Sequence, residues 1–377
     1  MKLSIRRGVT TAIAASTVLV LAACGGGSSD PETTDGGSES SSTSEGGADL
    51  ADLSGTLAGA GASSQENAMN GWLAGFQEQA PGVQPSYDAV GSSGGREQFL
   101  SGGVQFAGSD SPLKEEEIAT AQEMCTEPLE LPLYISPIAV VYNLPDVDAD
   151  NINLDSDTIA KMFAGEITSW DDEAIAAQNE GVELPAVDII PVNRADGSGT
   201  TENFQEYLVA TAPDSWPYEA SDTWPVSGGQ SGNGTSGMIS TVESTEGTIG
   251  YADASRAGDL GTVALKVGEE YVPFSPEAAA TAVDASPLTE DATDLRITYE
   301  LDRTTTEAGA YPLVLISYSL ACQTYENASD AANVKAFLSY VASPEGQDRA
   351  AMPDVAGSAP ISEDLRTDIL AAIDQIS

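Results

Sequence analysis

Arg194 and Asp196 open a run rich in glycine and hydroxyls, "RADGSGT" (residues 194–200), in a chain with 14 basic and 59 acidic residues. A guanidinium is a rigid fork of donors that suits an oxyanion, and a carboxylate two positions on can hold that fork in place. The run lies between the apolar "AVDIIPVN" and the helical pattern "TENFQEYLVATA", and so reads as strand, turn and helix. The first N–H groups of a helix have no intrahelical partner and carry partial positive charge, which makes such an end an anion site. "GAGASS" (59–64) and "GSSGG" (91–95) repeat the design, while "GNGTSG" (232–237) reads as a structural loop. Taken singly, these serines serve equally well as helix caps or turn residues, and Arg194 with Asp196 as a surface ion pair. The strand-like "VQFAGSD" ends on Asp110, which by itself reads as the N-cap of the following "SPLKEEEIA".

The chain has no histidine. Ser-His-Asp and Cys-His triads are thereby excluded, together with the commonest zinc and iron ligand. Carboxylate-only metal sites and paired-carboxylate catalysis stay open on composition alone. The N-terminus carries Lys2, Arg6 and Arg7, then an apolar or small stretch from Val9 to Ala23, with no acid before Asp30. That order is a secretory signal, too short in its apolar run for a spanning helix of ~20 residues. Its end, Leu21-Ala22-Ala23-Cys24, resembles a bacterial lipobox, in which residues 1–23 are removed and Cys24 is lipidated. Residues 24–54 then form a flexible tether of Gly, Ser, Thr and acid, a composition that buries too little surface to order itself. Loss of the signal leaves 11 basic against 59 acidic residues, a net charge of −48, which excludes nucleic acid and anionic lipid head groups as partners. With Cys24 set aside, Cys125 and Cys322 remain as an even pair in an oxidising compartment, expected as a disulfide, with two buried thiols as the alternative.

Beyond the tether, about 320 residues suggest two domains. Apolar runs alternate with helical patterns, the mark of βα units and a largely parallel sheet. "LELPLYISPIAVVYNL" (129–144) is long and apolar but contains Pro132 and Pro137, and is expected to break as a crossing between domains.

In order and spacing, "GAGASS", "GSSGG", "FAGSDSPL" (106–113), "GEITSWDDEAI" (165–175) and "RADGSGT" resemble the PstS family, the phosphate-binding proteins of bacterial phosphate ABC importers. "GTIGYAD" and "AYPLVLISYSL" resemble that family's later segments, so the likeness covers nearly all of residues 55–377. It implies an α/β, type II periplasmic-binding-protein fold: two α/β domains joined by two crossovers, with the ligand cleft between them. The expected division is 55–135 plus 312–377 for the first, discontinuous domain and 136–311 for the second. Cys125 and Cys322 then share one domain.

Position by position, the resemblance makes Ser63 and Ser92 hydroxyl donors to phosphate and Ser64 an N–H donor. Asp110 accepts the phosphate's own proton. Arg194 is the one cationic contact, oriented by Asp196, while Ser198, Gly199 through its N–H, and Thr200 complete the cradle. "SSQENA" departs from the aromatic and proline usual after the hydroxyl residue, which bears on the pocket's wall more than on its donors. Phosphate near neutral pH keeps a proton and sulfate has none, so a buried acceptor favours the first and repels the second.

The implied protein is a lipid-anchored solute-binding protein on the outer face of the bacterial cell membrane. It captures inorganic phosphate as a monomer and passes it to a permease and its ATPase, with no cofactor, no metal and no catalysis. The competing readings are a sulfate or molybdate carrier, a phosphatase with Ser63 or Ser92 as nucleophile, and a phosphate sensor or adhesin.

Overall fold

The computed structural model describes residues 50–377. The signal of residues 1–23, the lipidation of Cys24 and the tether up to residue 49 lie outside the described residues. Within the stretch read as tether, Leu50–Asp52 form a single 3-10 turn and Leu53 is buried.

The first βα units follow from local sequence. Strand β1 (Gly55–Gly61) pairs in parallel with β2 (Val83–Asp88) and β3 (Phe106–Ser109). Helix α1 (Glu66–Gln79) buries Ala68, Met69, Trp72, Gly75 and Phe76, whose three- and four-residue spacing forms one face. It ends at Ala80, where Pro81 disfavours a further helical residue. Helix α2 (Ser92–Leu100) links β2 to β3, and α3 (Glu115–Cys125) opens on three glutamates that suit the positive end of its dipole.

Strand β4 (Pro128–Tyr142) corrects one expectation. It runs unbroken through Pro132 and Pro137, and all fifteen of its residues are buried. Both prolines fall where the ladder is already irregular. The register shifts beside Pro132, where Tyr134 pairs with Ser317 but Pro132 with Tyr318, and after Pro137 the strand leaves one partner for another. Residues 128–137 pair with β11 (Val314–Cys322), and 138–142 with β8 (Thr248–Asp253).

Between these strands the chain forms β5 (Ile152–Leu154), α4 (Ser156–Ala164), α5 (Glu173–Ala176), β6 (Ile190–Arg194), α6 (Gly199–Thr211), β7 (Gln230–Gly232) and α7 (Gly234–Glu243). Helix α4 starts on the Asp155 cap and stops at Gly165, whose φ of 77° is the left-handed conformation that glycine adopts without penalty. After β8 come β9 (Gly261–Val267), β10 (Glu270–Val272) and α8 (Pro276–Asp284), and after β11 come α9 (Ala328–Ala342), α10 (Pro344–Ala351) and α11 (Glu363–Ile373).

The main path of the sheet is β2-β1-β3-β11-β4-β8-β6-β7. Two parallel groups, β1 with β2 and β3, and β6 with β7 and β8, flank an antiparallel centre. The sheet is therefore less uniformly parallel than the alternating pattern suggests, because the chain leaves the first group along β4 and returns along β11. Cys125 and Cys322 form a disulfide that ties the end of α3 to the end of β11 across 197 positions. Closing so long a loop is worth about 5 kcal/mol in the chain-entropy account.

Candidate functional site

Four turns meet at the C-terminal ends of β1, β2, β3 and β6. After β1, β2 and β6 a helix follows within a few residues and leaves first-turn N–H groups open, whereas five residues separate β3 from α3. The sequence signal for this convergence was local, and the structure brings together every residue assigned to the cradle. Ser63, Ser64, Ser92, Asp110, Arg194, Ser198, Gly199 and Thr200 are all buried.

Asp110 sits one residue beyond β3. Its Oδ1 accepts the Ser64 hydroxyl at 2.6 Å and its Oδ2 the Thr200 hydroxyl at 2.8 Å, while its own N–H donates to Ser92 Oγ at 3.1 Å. It is not a helix cap: α3 begins five residues later, behind Lys114. Burial pushes the Asp110 carboxyl above its ordinary range, against the pull of the hydrogen bonds from Ser64 and Thr200. A carboxylate has about four lone-pair positions, so two remain for another donor. Ser92 Oγ, occupied as an acceptor, keeps its proton free to donate.

Arg194 closes β6 with its side chain 2% exposed, which rules out a surface ion pair. Its Nε donates to Asp196 Oδ1 at 2.8 Å and Nη2 pairs with Oδ2, leaving Nη1 without a partner among the described residues. Burial opposes ionisation of Asp196, but the hydrogen bond and charge of Arg194 outweigh it and hold the carboxyl below its ordinary range. Ser198 caps α6 by accepting the Thr201 N–H at 3.2 Å, and Glu202 N–H is the first to reach back along the helix. The N–H groups of Gly199 and Thr200 thus stay open.

Two glycines are required where the loops touch. At Gly91, φ is 92° and a Cβ would lie 2.6 Å from Asp196 Oδ2; at Gly199 a Cβ would lie 2.7 Å from both Asp110 Cβ and Ser92 Oγ.

The structure adds residues that the motifs did not supply. The "GNGTSG" loop, read as structural, lies in the site. Gly234 N–H donates to Asp196 Oδ1 at 2.9 Å, Thr235 N–H donates to Ser63 Oγ at 3.0 Å, and the two hydroxyls of Ser63 and Thr235 are 3.0 Å apart. Its glycine, hydroxyl and following helix are the same signal that marked the other loops. Tyr251 underlies Arg194. Its hydroxyl meets Thr201 Oγ1 at 2.7 Å and receives the Arg194 N–H at 3.5 Å, and its ring stacks on Phe204 at 4.4 Å. Gln65, at the departure from the family pattern, is 1% exposed, and neither polar atom of its amide has a hydrogen-bond partner among the described residues.

The arrangement offers hydroxyls, open N–H groups, one guanidinium edge and one carboxylate acceptor around a shared space. It can hold a small tetrahedral oxyanion that brings a proton. The Ser63 and Ser92 oxygens accept from backbone N–H groups, and neither hydroxyl donates to a carboxylate among the described residues.

Residues 39–345 match the PBP superfamily domain. Over 288 residues the chain is 35% identical to the phosphate-binding protein PstS 3 of Mycobacterium leprae, a match that spans 75% of this chain and 78% of the relative. It is 33% identical to the phosphate-binding protein PstS 2 of Mycobacterium tuberculosis, over 85% of this chain and 87% of that one. Among solved structures, the fold is similar to the phosphate-binding protein from Stenotrophomonas maltophilia, with a TM-score of 0.63 at 19% identity over 84% of this chain and 93% of the other. The human phosphate binding apolipoprotein gives a TM-score of 0.65 at 20% identity with the same coverage.

Proposed function

Because the chain belongs to the PstS family of phosphate-binding proteins, within the PBP superfamily, we propose that it captures inorganic phosphate outside the cytoplasm and delivers it to an ABC importer. As a member of a family of binding proteins, it is not an enzyme.

The observation that carries the ligand assignment is Asp110. A buried carboxylate beside an anion cradle would repel a fully ionised oxyanion, yet it gains a charge-assisted hydrogen bond from one that still carries a proton. Ser64 and Thr200 hold the carboxylate so that its remaining lone pairs face the ligand. Arg194 Nη1, held by the grip of Asp196 on the other edge, supplies the positive charge. The N–H groups of Ser64, Gly199 and Thr200 and the hydroxyls of Ser63, Ser92 and Ser198 take the remaining oxygens. Such fixed dipoles act at hydrogen-bond distance, whereas most surface acids lie beyond a Debye length of about 8 Å.

In this reading residues 55–135 with 312–377 form one lobe and 136–311 the other, and the lobes close about phosphate by bending where β4 and β11 run between them. Residues 1–23 direct export and Cys24 carries the lipid that keeps a monomer at the outer face of the membrane. The tether lets it reach a permease driven by an ATPase.

Calorimetric titration of the purified protein, stripped of bound ligand, with phosphate and then sulfate at pH 8 tests the assignment. Micromolar or tighter binding of phosphate with no response to sulfate is expected. Binding of sulfate alone would make it another oxyanion carrier.

A further inference from the structure

Asp222 lies in the irregular stretch between α6 and β7, outside every motif that builds the cradle. Its backbone carbonyl accepts the Ser198 N–H at 2.9 Å. Its carboxylate accepts the Ser93 hydroxyl at 2.6 Å, from a residue 129 positions away, and the same oxygen stands 3.8 Å from Arg96 Nη2. Arg96 is 2% exposed and held from its own side, Nε by Glu117 at 3.0 Å and Nη1 by the hydroxyls of Ser109 and Ser111 at 3.0 and 3.1 Å. Its guanidinium is thus fixed by neighbours in residues 55–135 and turns one edge toward Asp222. Burial pushes the Asp222 carboxyl up, but the Ser93 hydroxyl and the charges of Lys114 and Arg96 outweigh it and keep it below its ordinary range.

On the opposite flank of the cradle, Glu66 meets Arg256 at 2.5 Å and Asn67 donates to Ser255 Oγ at 3.2 Å. Both flanks join residues before 135 to residues after 190.

Charge makes these contacts informative. Residues 55–135 with 312–377 hold 5 basic and 20 acidic residues (5 − 20 = −15), and residues 136–311 hold 6 and 32 (6 − 32 = −26). Two bodies of the same sign resist approach. The few cations are therefore scarce, and Arg96, Lys114 and Arg256 stand where the two meet, each near a carboxylate of the other side.

We propose that Asp222, with Ser93 and Arg96, forms a clasp that holds the closed form and sets how fast phosphate leaves, without touching the ligand. Asp222 is a positioning residue, and the proposal rests on the two-lobed, phosphate-binding reading above. The pairs exist only once the lobes have met, so losing one acts on dissociation rather than encounter.

Stopped-flow kinetics with phosphate give the test. Asp222→Ala should raise the off-rate about tenfold or more, leave the on-rate within about twofold and leave the ratio of phosphate to sulfate affinity unchanged. Ser93→Ala should act in the same direction and less. An unchanged off-rate in Asp222→Ala would overturn the clasp. So would a loss of selectivity, since Asp222 would then act through Ser198 and the cradle. The distance between spin labels at the exposed positions Glu97 and Glu219 reads closure whatever the ligand: Asp222→Ala should move the population to longer distances. No movement overturns the clasp, while movement without any phosphate binding by the wild-type protein would leave the clasp standing and sink the phosphate reading.

Discussion

Asp110 and Asp196 lie in the same pocket, each just past the end of a strand, and their carboxyl groups are shifted in opposite directions. Asp196 faces a guanidinium, so its charge is matched and the pair behaves as one dipole. Asp110 accepts two hydroxyls and feels the Arg194 charge only through space, a pull that does not offset its burial. Its burial therefore dominates, and its negative charge is left waiting for a proton-bearing partner. In the proposed function one aspartate shapes the cation and the other selects the anion. The lesson is that a buried acid in an anion site must be judged by what compensates it, since residue type alone is the same in both places.

The largest effect is expected at the uncompensated acid. Asp110→Asn removes the repulsion that excludes sulfate and the acceptor that rewards phosphate. The ratio of phosphate to sulfate affinity should fall by about a hundredfold or more in paired titrations. An unchanged ratio would place selectivity elsewhere.

Next comes Arg194→Ala, which takes away the cation and strands Asp196. Hydrogen bonds to charged groups contribute about 1.5–3 kcal/mol, so phosphate affinity should drop about ten- to a hundredfold. Retained affinity would mean that the dipoles hold the anion without the guanidinium.

The smallest effect lies in the stability of the ligand-free protein, and there the two aspartates should differ in sign. A lowered carboxyl stabilises the fold above its ordinary value of 3.8 and loses that contribution as pH falls through the folded value. A raised carboxyl contributes fully below 3.8 and loses the contribution as pH rises through the folded value, so burial of Asp110 costs stability toward neutral pH. Calorimetry at pH 7 should show Asp196→Asn melting a few degrees lower than wild type and Asp110→Asn a few degrees higher, the Asp110 difference shrinking toward pH 4 and the Asp196 difference only below it. Shifts of the same sign would show that the two environments are not opposed.

Much of the site was legible because its parts are local. Glycine and hydroxyls between an apolar run and a helical pattern mark a strand delivering its end to a helix N-terminus, and three such segments, with "FAGSDSPL" and "GEITSWDDEAI" in order, carry the family resemblance. The "GNGTSG" loop carried the same mark and was still read as structural, since nothing in its own residues says that Thr235 will meet Ser63 across 172 positions. Asp222 had no signal at all, because residues 212–229 show neither periodicity nor motif. In the fold, Pro132 and Pro137 read as a break, yet β4 passes through both. A proline removes one ladder donor, and here the missing donors fall at a register shift and at a change of partner.

By itself the sequence determined the chemistry available to this protein: no histidine, one arginine in a hydroxyl-rich turn, an acid ending a strand, and an even pair of cysteines beyond Cys24. Those are properties of residue type and near neighbours, which the chain carries whether folded or not. Only the tertiary structure decided which turns face one another, that burial dominates at Asp110 while Asp196 is paired, and that Arg96 and Arg256 each meet a carboxylate more than a hundred positions away. Burial and electrostatic compensation are sums over residues distant in the chain, and they exist only once those residues have been brought together.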